Sequence, residues 1–314
     1  MKGFLKAIPL PAAGVMLGLA ALGNLIQSYS EGVRLVFGAL ALVIWVCLVL
    51  KVVFCWPGVR KAMDDPIVAS VSGTFPMATM LLAVYAKPFT GAVFAQAVWF
   101  LGILLHVALI VWFTLKFFKS FDLSKVFASY YIVYVGIVVA SLTSPAFGME
   151  SAVGTPLFWF GFVCLLALLI LVTVRYVKLP VKKDPARPIF CIYAAPISLC
   201  LAGYIQSVTP KSPVMVIGML VASSAVYLLV LSRLPAFLKL PFYPSYAAFT
   251  FPMVITAIAA KQSMACLTKL GFNVSWLGLV VLVETVIAAV LVLYSLVRYC
   301  MAVASACQGS KTAA

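Results

Sequence analysis

Two side chains in this 314-residue sequence could exchange a proton from inside a long apolar run, Glu284 and His106. A carboxylate among apolar residues is a candidate proton-coupling group. Equally, Glu284 can sit protonated or hydrogen-bonded at a helix or subunit interface. His106 is the single histidine of the chain, so it builds no relay, and a neutral buried imidazole is the plainer reading. The runs hold no Ser-His-Asp set, glycine-rich phosphate loop or paired carboxylates, so an enzyme is the weakest functional class. The eight cysteines (Cys47, Cys55, Cys164, Cys191, Cys200, Cys266, Cys300 and Cys307) form no Cys-x-x-Cys pair and lie mostly in or beside apolar runs. Neither a disulfide framework nor a metal site is expected, and no cofactor.

A second kind of chemistry belongs to the backbone. The letters Thr74-Phe75-Pro76-Met77 recur as Thr250-Phe251-Pro252-Met253, each inside an apolar run. A proline within a helix removes one N–H and frees the carbonyl four residues earlier, that of Ser72 or Ala248 here. Looser echoes stand at Leu10-Pro11-Ala12 and Ala195-Pro196-Ile197, giving steps of 65, 120 and 56 residues. The long step is about twice the others, and Ser129-Tyr130-Tyr131-Ile132 fills its middle, with Tyr131 where the proline would stand. Five units of one pattern result.

Composition states where these units must sit. At 65% hydrophobic, 9% charged and a mean hydropathy of +1.19, the chain is an integral membrane protein. Strict two-residue alternation is absent, so the spanning elements are helices. The basic residues are scattered between apolar runs without an aromatic-interleaved patch, which argues against nucleic acid despite a net charge of +15.

Apolar runs between charge and Gly/Pro punctuation predict ten spans, at about 7-28, 33-55, 66-87, 92-117, 125-143, 154-177, 188-208, 213-234, 243-261 and 274-299. They make one transmembrane domain over residues 1-314, an all-α protein of five helical hairpins. Each proline, or Tyr131, falls in the first helix of its hairpin. The opening Met1-Lys2-Gly3 runs into the first span without a small-x-small cleavage site, so that span is read as retained rather than as a signal peptide.

Loop charge predicts orientation. The chain start and the even-numbered loops hold Lys2, Lys6, Lys51, Arg60, Lys61, Lys116, Lys119, Lys125, Arg175, Lys178, Lys182, Lys183, Arg187, Arg233 and Lys239, and the C-terminus adds Arg298 and Lys311. The other side holds only Arg34, Lys87, Lys211, Lys261 and Lys269. Both termini are expected in the cytoplasm of a multi-pass protein of the cell (inner or plasma) membrane. The basic, proline-rich loop Lys178 to Pro188 reads as a topology-fixing segment with affinity for anionic lipid head groups.

The first helices, Ala7 to Ser28, Pro66 to Ala86, Val126 to Thr143, Ile189 to Val208 and Tyr243 to Ala260, contain no Asp, Glu, Lys, Arg or His. They are rich in Gly, Ala, Ser and Thr, which permit close approach or leave a lumen. An inner ring of five bent helices around a pore, with the second helices outside, is therefore expected. Such a lumen selects by long-range field, backbone dipoles and hydroxyls such as Thr74, Ser198 and Thr250. The basic excess tilts selection toward anions. Phe75 and Phe251, each just before its proline, either plug the axis or pack against a neighbouring helix.

Several stretches together resemble the tellurite-resistance/dicarboxylate transporter family, that of bacterial TehA, the plant guard-cell slow anion channels and fungal malate transporters. They are Pro9-Leu10-Pro11 followed by Leu17-Gly18-Leu19-Ala20-Ala21-Leu22, the Ala195-Pro196 helix, and Phe249-Thr250-Phe251-Pro252-Met253. The resemblance spans essentially the whole chain. It implies a homotrimer, each subunit with its own pore, bent inner helices, and a gate at Phe251 for which Gly14 leaves room. Tyr131 departs from the family proline. The long phosphorylatable tails of the plant channels have no counterpart, so kinase control is not expected.

The expected function is a gated channel for small anions such as chloride or nitrate, with Phe251 as gate and Pro11, Gly14, Thr74, Phe75, Pro76, Tyr130, Tyr131, Pro196, Ser198, Thr250 and Pro252 as lining or bends. The rival is a secondary transporter of a C4-dicarboxylate such as malate or of a tellurite-type oxyanion. Tight capture of a dianion usually wants an arginine or lysine in the site, which the uncharged inner helices lack. Glu284 and His106 favour the rival only if they face the pore. A receptor or scaffold is a third class, disfavoured by loops too short to form a recognition domain.

Overall fold

Apolar runs in lipid must satisfy their own backbone, and these do so as helices. The computed structural model describes residues 2–119 and 121–312, and among these there is no strand. The principal helices are α1 (Ala12–Ile26), α2 (Glu31–Phe54), α3 (Thr74–Thr90), α4 (Ala92–Phe113), α5 (Val138–Thr143), α6 (Thr155–Lys178), α7 (Ala195–Ser207), α8 (Pro213–Leu238), α9 (Phe251–Lys269) and α10 (Leu277–Thr312). Eight helical stretches are long and apolar enough to cross a membrane; of two shorter apolar ones, Ala12–Ile26 precedes the first and Val138–Phe147 lies between the third and fourth. Each odd-numbered helix is followed by a short connection and its even-numbered partner, so the chain is a series of hairpins.

The two members of a hairpin differ in what they touch. In the most apolar windows of α2, α4, α6, α8 and α10 only 17–33% of residues are buried. For the stretches containing α3, α7 and α9 the share is 72–89%. Valines, leucines and phenylalanines such as Val43, Leu104, Val163, Leu228 and Leu282 stand exposed on the even-numbered helices, a cost in water but not against acyl chains. The odd-numbered helices close on one another: α1 packs on α3, α3 on α5, α5 on α7, α7 on α9, and α9 again on α1. The result is a ring of five inside a ring of five.

The inner helices change course at the repeat positions. Each begins as a short helical piece and is interrupted or changes pitch there, the fourth passing without a gap from Asp184–Ala194 into Ala195–Ser207. The leading pieces are Lys2–Ala7, Pro66–Val71, Leu123–Lys125, Asp184–Ala194 and Pro244–Phe249, the last three being 3₁₀ turns. Pro196 and Pro252 fall in the first turn of the restarted helices, Pro11 is the residue before α1, and Pro76 is the third residue of α3. A proline there forfeits only an N–H that has no intrahelical partner. The mid-helix bend expected from sequence is thus relocated to the start of a new segment.

The freed carbonyls are handled accordingly. Ser72 O accepts from Phe75 N at 2.9 Å. The threonines of both Thr-Phe-Pro-Met copies turn their hydroxyls onto the carbonyl three residues back, Thr74 to Val71 O and Thr250 to Ala247 O, each at 2.7 Å. In the third unit, where tyrosine replaces proline, the restart is fragmentary: one turn over Tyr130–Tyr134, a kink, then α5. At the kink sits Gly136, where a Cβ would lie 2.1 Å from Ile132 O and 2.7 Å from Met77 Sδ.

Glycine also sets the spacing between helices. A Cβ on Gly161 would come within 2.2 Å of Val138, and one on Gly203 within 2.4 Å of the same side chain. Val138 of the inner ring is therefore seated between a glycine of α6 and one of α7.

Candidate functional site

The five restarts face one another around the axis and enclose a cavity of about 330 Å³. Its wall takes Pro11 and Gly14 from the first unit, Val71, Thr74 and Met77 from the second, Tyr131, Ile132, Val135 and Gly136 from the third, Ile192, Pro196 and Leu199 from the fourth, and Ala247, Ala248, Phe251 and Pro252 from the fifth. Every unit of the repeat contributes. The wall is almost wholly apolar; its charged residues, Asp65 and Lys183, are exposed at the mouth. The Asp65 carboxylate caps the Pro66–Val71 helix, accepting from Ile67 N at 2.8 Å and Val68 N at 3.0 Å.

A second cavity, about 470 Å³, opens where the same inner helices end. All five contribute again, through Ala21 and Asn24, Leu81 and Val84, Leu142 and Thr143, Gln206, and Ile258, Lys261 and Gln262. Along α3 the two walls are separated by the step from Met77 to Leu81, and along α9 by the step from Pro252 to Ile258. At 1.5 Å per residue these steps are about 6 and 9 Å. Over that stretch the inner helices are packed shut: Leu17, Leu19, Ala78, Met80, Val138, Val139, Leu201, Ala202, Val254 and Ile255 are all at most 1% exposed. Two chambers thus lie in line, divided by an uncharged closed segment one to two helical turns long.

Phe251, 5% exposed, is with Pro252 the farthest along α9 of that chain's residues in the first cavity's wall. It is held by its own break. Thr250 adopts φ −97° and ψ −96°, and its hydroxyl reaches Gly14 O on α1 at 2.9 Å as well as Ala247 O. The contact is possible because Gly18 has no side chain. A Cβ there would stand 2.6 Å from Thr250 Cβ and 3.1 Å from Phe251 N. Gly14, expected to make room for the phenylalanine ring, instead faces Ala247, whose Cβ would be 2.9 Å from an added Cβ.

The other expected residues divide cleanly. Pro11, Gly14, Thr74, Tyr131, Pro196 and Pro252 stand in the first wall with Phe251. Tyr131 also points its hydroxyl to Leu168 O at 3.3 Å. Phe75, Pro76, Tyr130, Ser198 and Thr250 do not line either cavity. Phe75 stacks on Trp45 of α2 at 5.9 Å and 15°, so the two phenylalanines of the twin motif have opposite surroundings. Tyr130 meets Phe113 edge-on at 4.9 Å, and Ser198 donates to Ala194 O at 3.0 Å.

His106 and Glu284 are likewise away from both walls. His106 is fully buried on α4 and donates from Nε2 to Val133 O at 3.0 Å, which places a proton on Nε2, while Nδ1 has no partner among the described residues. Glu284 is 6% exposed on α10, with Oε2 unpartnered. The polar residues of the second cavity, Asn24, Gln27, Arg34, Thr143, Gln206, Lys261 and Gln262, were not anticipated as a site. The available signal was amides near the ends of helices otherwise free of charge, with a lysine one residue past the last of them.

Beyond the geometry, the sequence profile of a family described as voltage-dependent anion channel (SLAC1) matches residues 8–297, nearly the whole chain. No curated protein matches it.

Proposed function

The chain belongs to the voltage-dependent anion channel family, and on that premise we propose that it is a gated channel passing small anions such as chloride or nitrate down their gradient, with Phe251 as the gate. The observation that carries this reading is the pair of chambers in line through a closed ring, divided only by a short uncharged plug. An apolar constriction of that kind stops ions by excluding water, and opens when bulk leaves it. Phe251 combines bulk, a seat on the first chamber and a backbone break beside it.

The sign of the permeant ion follows from backbone and side-chain charge. Helices α1, α3, α7 and α9 each restart at the first chamber, so their positive ends face it. Their negative ends, at the second chamber, are offset by cations. Lys261 donates to Leu25 O near the end of α1 at 2.8 Å, and Lys211 donates to Tyr204 O and Val208 O at the end of α7. Lys87 similarly donates to Ala146 O in the turn after α5 at 2.5 Å. The axis is thereby left attractive to negative charge at both ends.

In this reading the protein lies in the cell membrane with both termini cytoplasmic, following the loop charges. The homotrimer follows from the family resemblance. The rival, proton-coupled uptake of a dicarboxylate, would need a titratable group beside the substrate path, and neither Glu284 nor His106 lines a chamber.

Purified protein in planar bilayers and in proteoliposomes separates the two. A chloride or nitrate current, with no proton-driven uptake of labelled malate, is expected; malate uptake that collapses with the proton gradient, and no current, would refute the channel. Glu284→Gln supplies a sharper comparison. Because the carboxyl lies off the axis, its conductance is expected to stay within about twofold of wild type, whereas a coupled transporter would lose proton-dependent uptake altogether.

A further inference from the structure

The second chamber is walled by seven polar side chains, Asn24, Gln27, Arg34, Thr143, Gln206, Lys261 and Gln262. Its two cations are not equivalent. Arg34 ion-pairs with Glu31, donates from Nε to Asn24 Oδ1 at 3.1 Å and lies 4.3 Å over the Tyr85 ring, so its charge is already balanced. Lys261 has no carboxylate partner among the described residues. Its ammonium donates to Leu25 O at 2.8 Å and Ser28 Oγ at 2.6 Å and lies 5.3 Å from the centre of the Tyr29 ring; all three partners are uncharged, which leaves one proton free and no carboxylate to neutralise the charge. Beside it, the Gln262 carboxamide oxygen is buried without a partner. A buried unpaired acceptor calls for a donor, which a water shared with the anion supplies.

We propose that this chamber is an anion-holding station, in which Lys261 binds a small monovalent anion before it enters the closed segment. One uncompensated ammonium matches one negative charge. A dicarboxylate would bring two charges to a single cation, so the ligand class is a monovalent inorganic anion. The amides of Asn24, Gln206 and Gln262 supply N–H donors to replace part of its water, and a chamber of about 470 Å³ leaves room for the rest. Lys87 and Lys211 do not line this chamber. For its effect on transport the station rests on the channel reading; binding itself does not.

The test uses full-length protein with Phe251→Ala as an open background. Adding Lys261→Gln is expected to lower chloride conductance about threefold or more at ~20 mM salt and hardly at all near ~1 M, where bulk ions supply what the ammonium otherwise concentrates. Lys261→Arg should restore the low-salt value. Should Lys261→Gln fail to assemble, Gln262→Glu cancels the same charge with a neighbouring carboxylate and should give the same loss.

A second readout is independent of conduction. Nitrate, exchanged against gluconate at constant ionic strength, should raise the melting temperature of detergent-solubilised wild type at several-fold lower concentration than that of Lys261→Gln. Equal low-salt conductances, or equal nitrate dependence of melting, would overturn the station. No current in Phe251→Ala, with nitrate stabilisation still dependent on Lys261, would remove the channel reading and leave the station standing.

Discussion

Phe251→Ala should raise chloride conductance by at least about tenfold, the change that follows if the ring holds back as little as ~1.4 kcal/mol of the permeation barrier. The substitution deletes the largest side chain at the inner end of the first chamber, beside a segment whose other residues are aliphatic and packed. The hole lies on the axis, where water can enter it. Planar-bilayer recordings of both proteins read the effect directly. Phe75→Ala is the internal control, with the same four-letter context but a ring stacked on Trp45 and away from both chambers. Its conductance should match wild type even though it loses the stacking. Unchanged current in well-assembled Phe251→Ala would sink the gate.

The second large effect is expected at Gly18. An alanine there puts a methyl carbon 2.6 Å from Thr250 Cβ and 2.8 Å from its Oγ1, closer than real contacts allow, and the facing peptide is the one that carries Phe251. Something must move. Either α1 separates from the break, losing the Thr250 to Gly14 hydrogen bond, or the break shifts and takes the ring with it. Overpacking of this kind typically costs about 1–3 kcal/mol, so Gly18→Ala should melt several degrees below wild type and also leak at rest. Gly218→Ala on α8, where a Cβ meets nothing within 4 Å, should do neither. A Gly18→Ala protein with wild-type melting and wild-type resting current would show that the seat of Phe251 does not depend on this contact.

The fold was legible because its signals are local. Proline-centred repeats gave the number of units, and the absence of charge from alternate spans separated inner from outer helices, since only helices shielded from lipid and flanked by neighbours tolerate interrupted backbone. The site was less so. Which face of a restarted helix looks at the axis depends on the restart geometry, and one residue of helix is a rotation of about 100°. Phe75 and Phe251 occupy the same place in identical tetrapeptides, yet α3 runs on from a helical turn whereas α9 follows a 3₁₀ turn and the unusual Thr250 dihedrals. Gly14 was assigned by the family resemblance the clearance at Thr250 and Phe251 that Gly18, one turn further on, provides. The second chamber escaped notice for a different reason. Counting charges alone passes over Asn24 and Gln206, and Lys261 stands one residue beyond the last uncharged stretch.

Five is an odd number, and the closed ring gives that arithmetic a mechanical meaning. Transporters that alternate between two faces usually rock one structural half against another that is its pseudo-symmetric copy. Five similar units cannot be divided into two equal sets, and the contacts running from α1 through α9 and back to α1 close the ring, thinnest between α3 and α5. The movements this architecture offers are small and radial: a side chain leaving the axis, or one inner helix pivoting at its own break. On the channel reading, such movements change the bore of a continuous path.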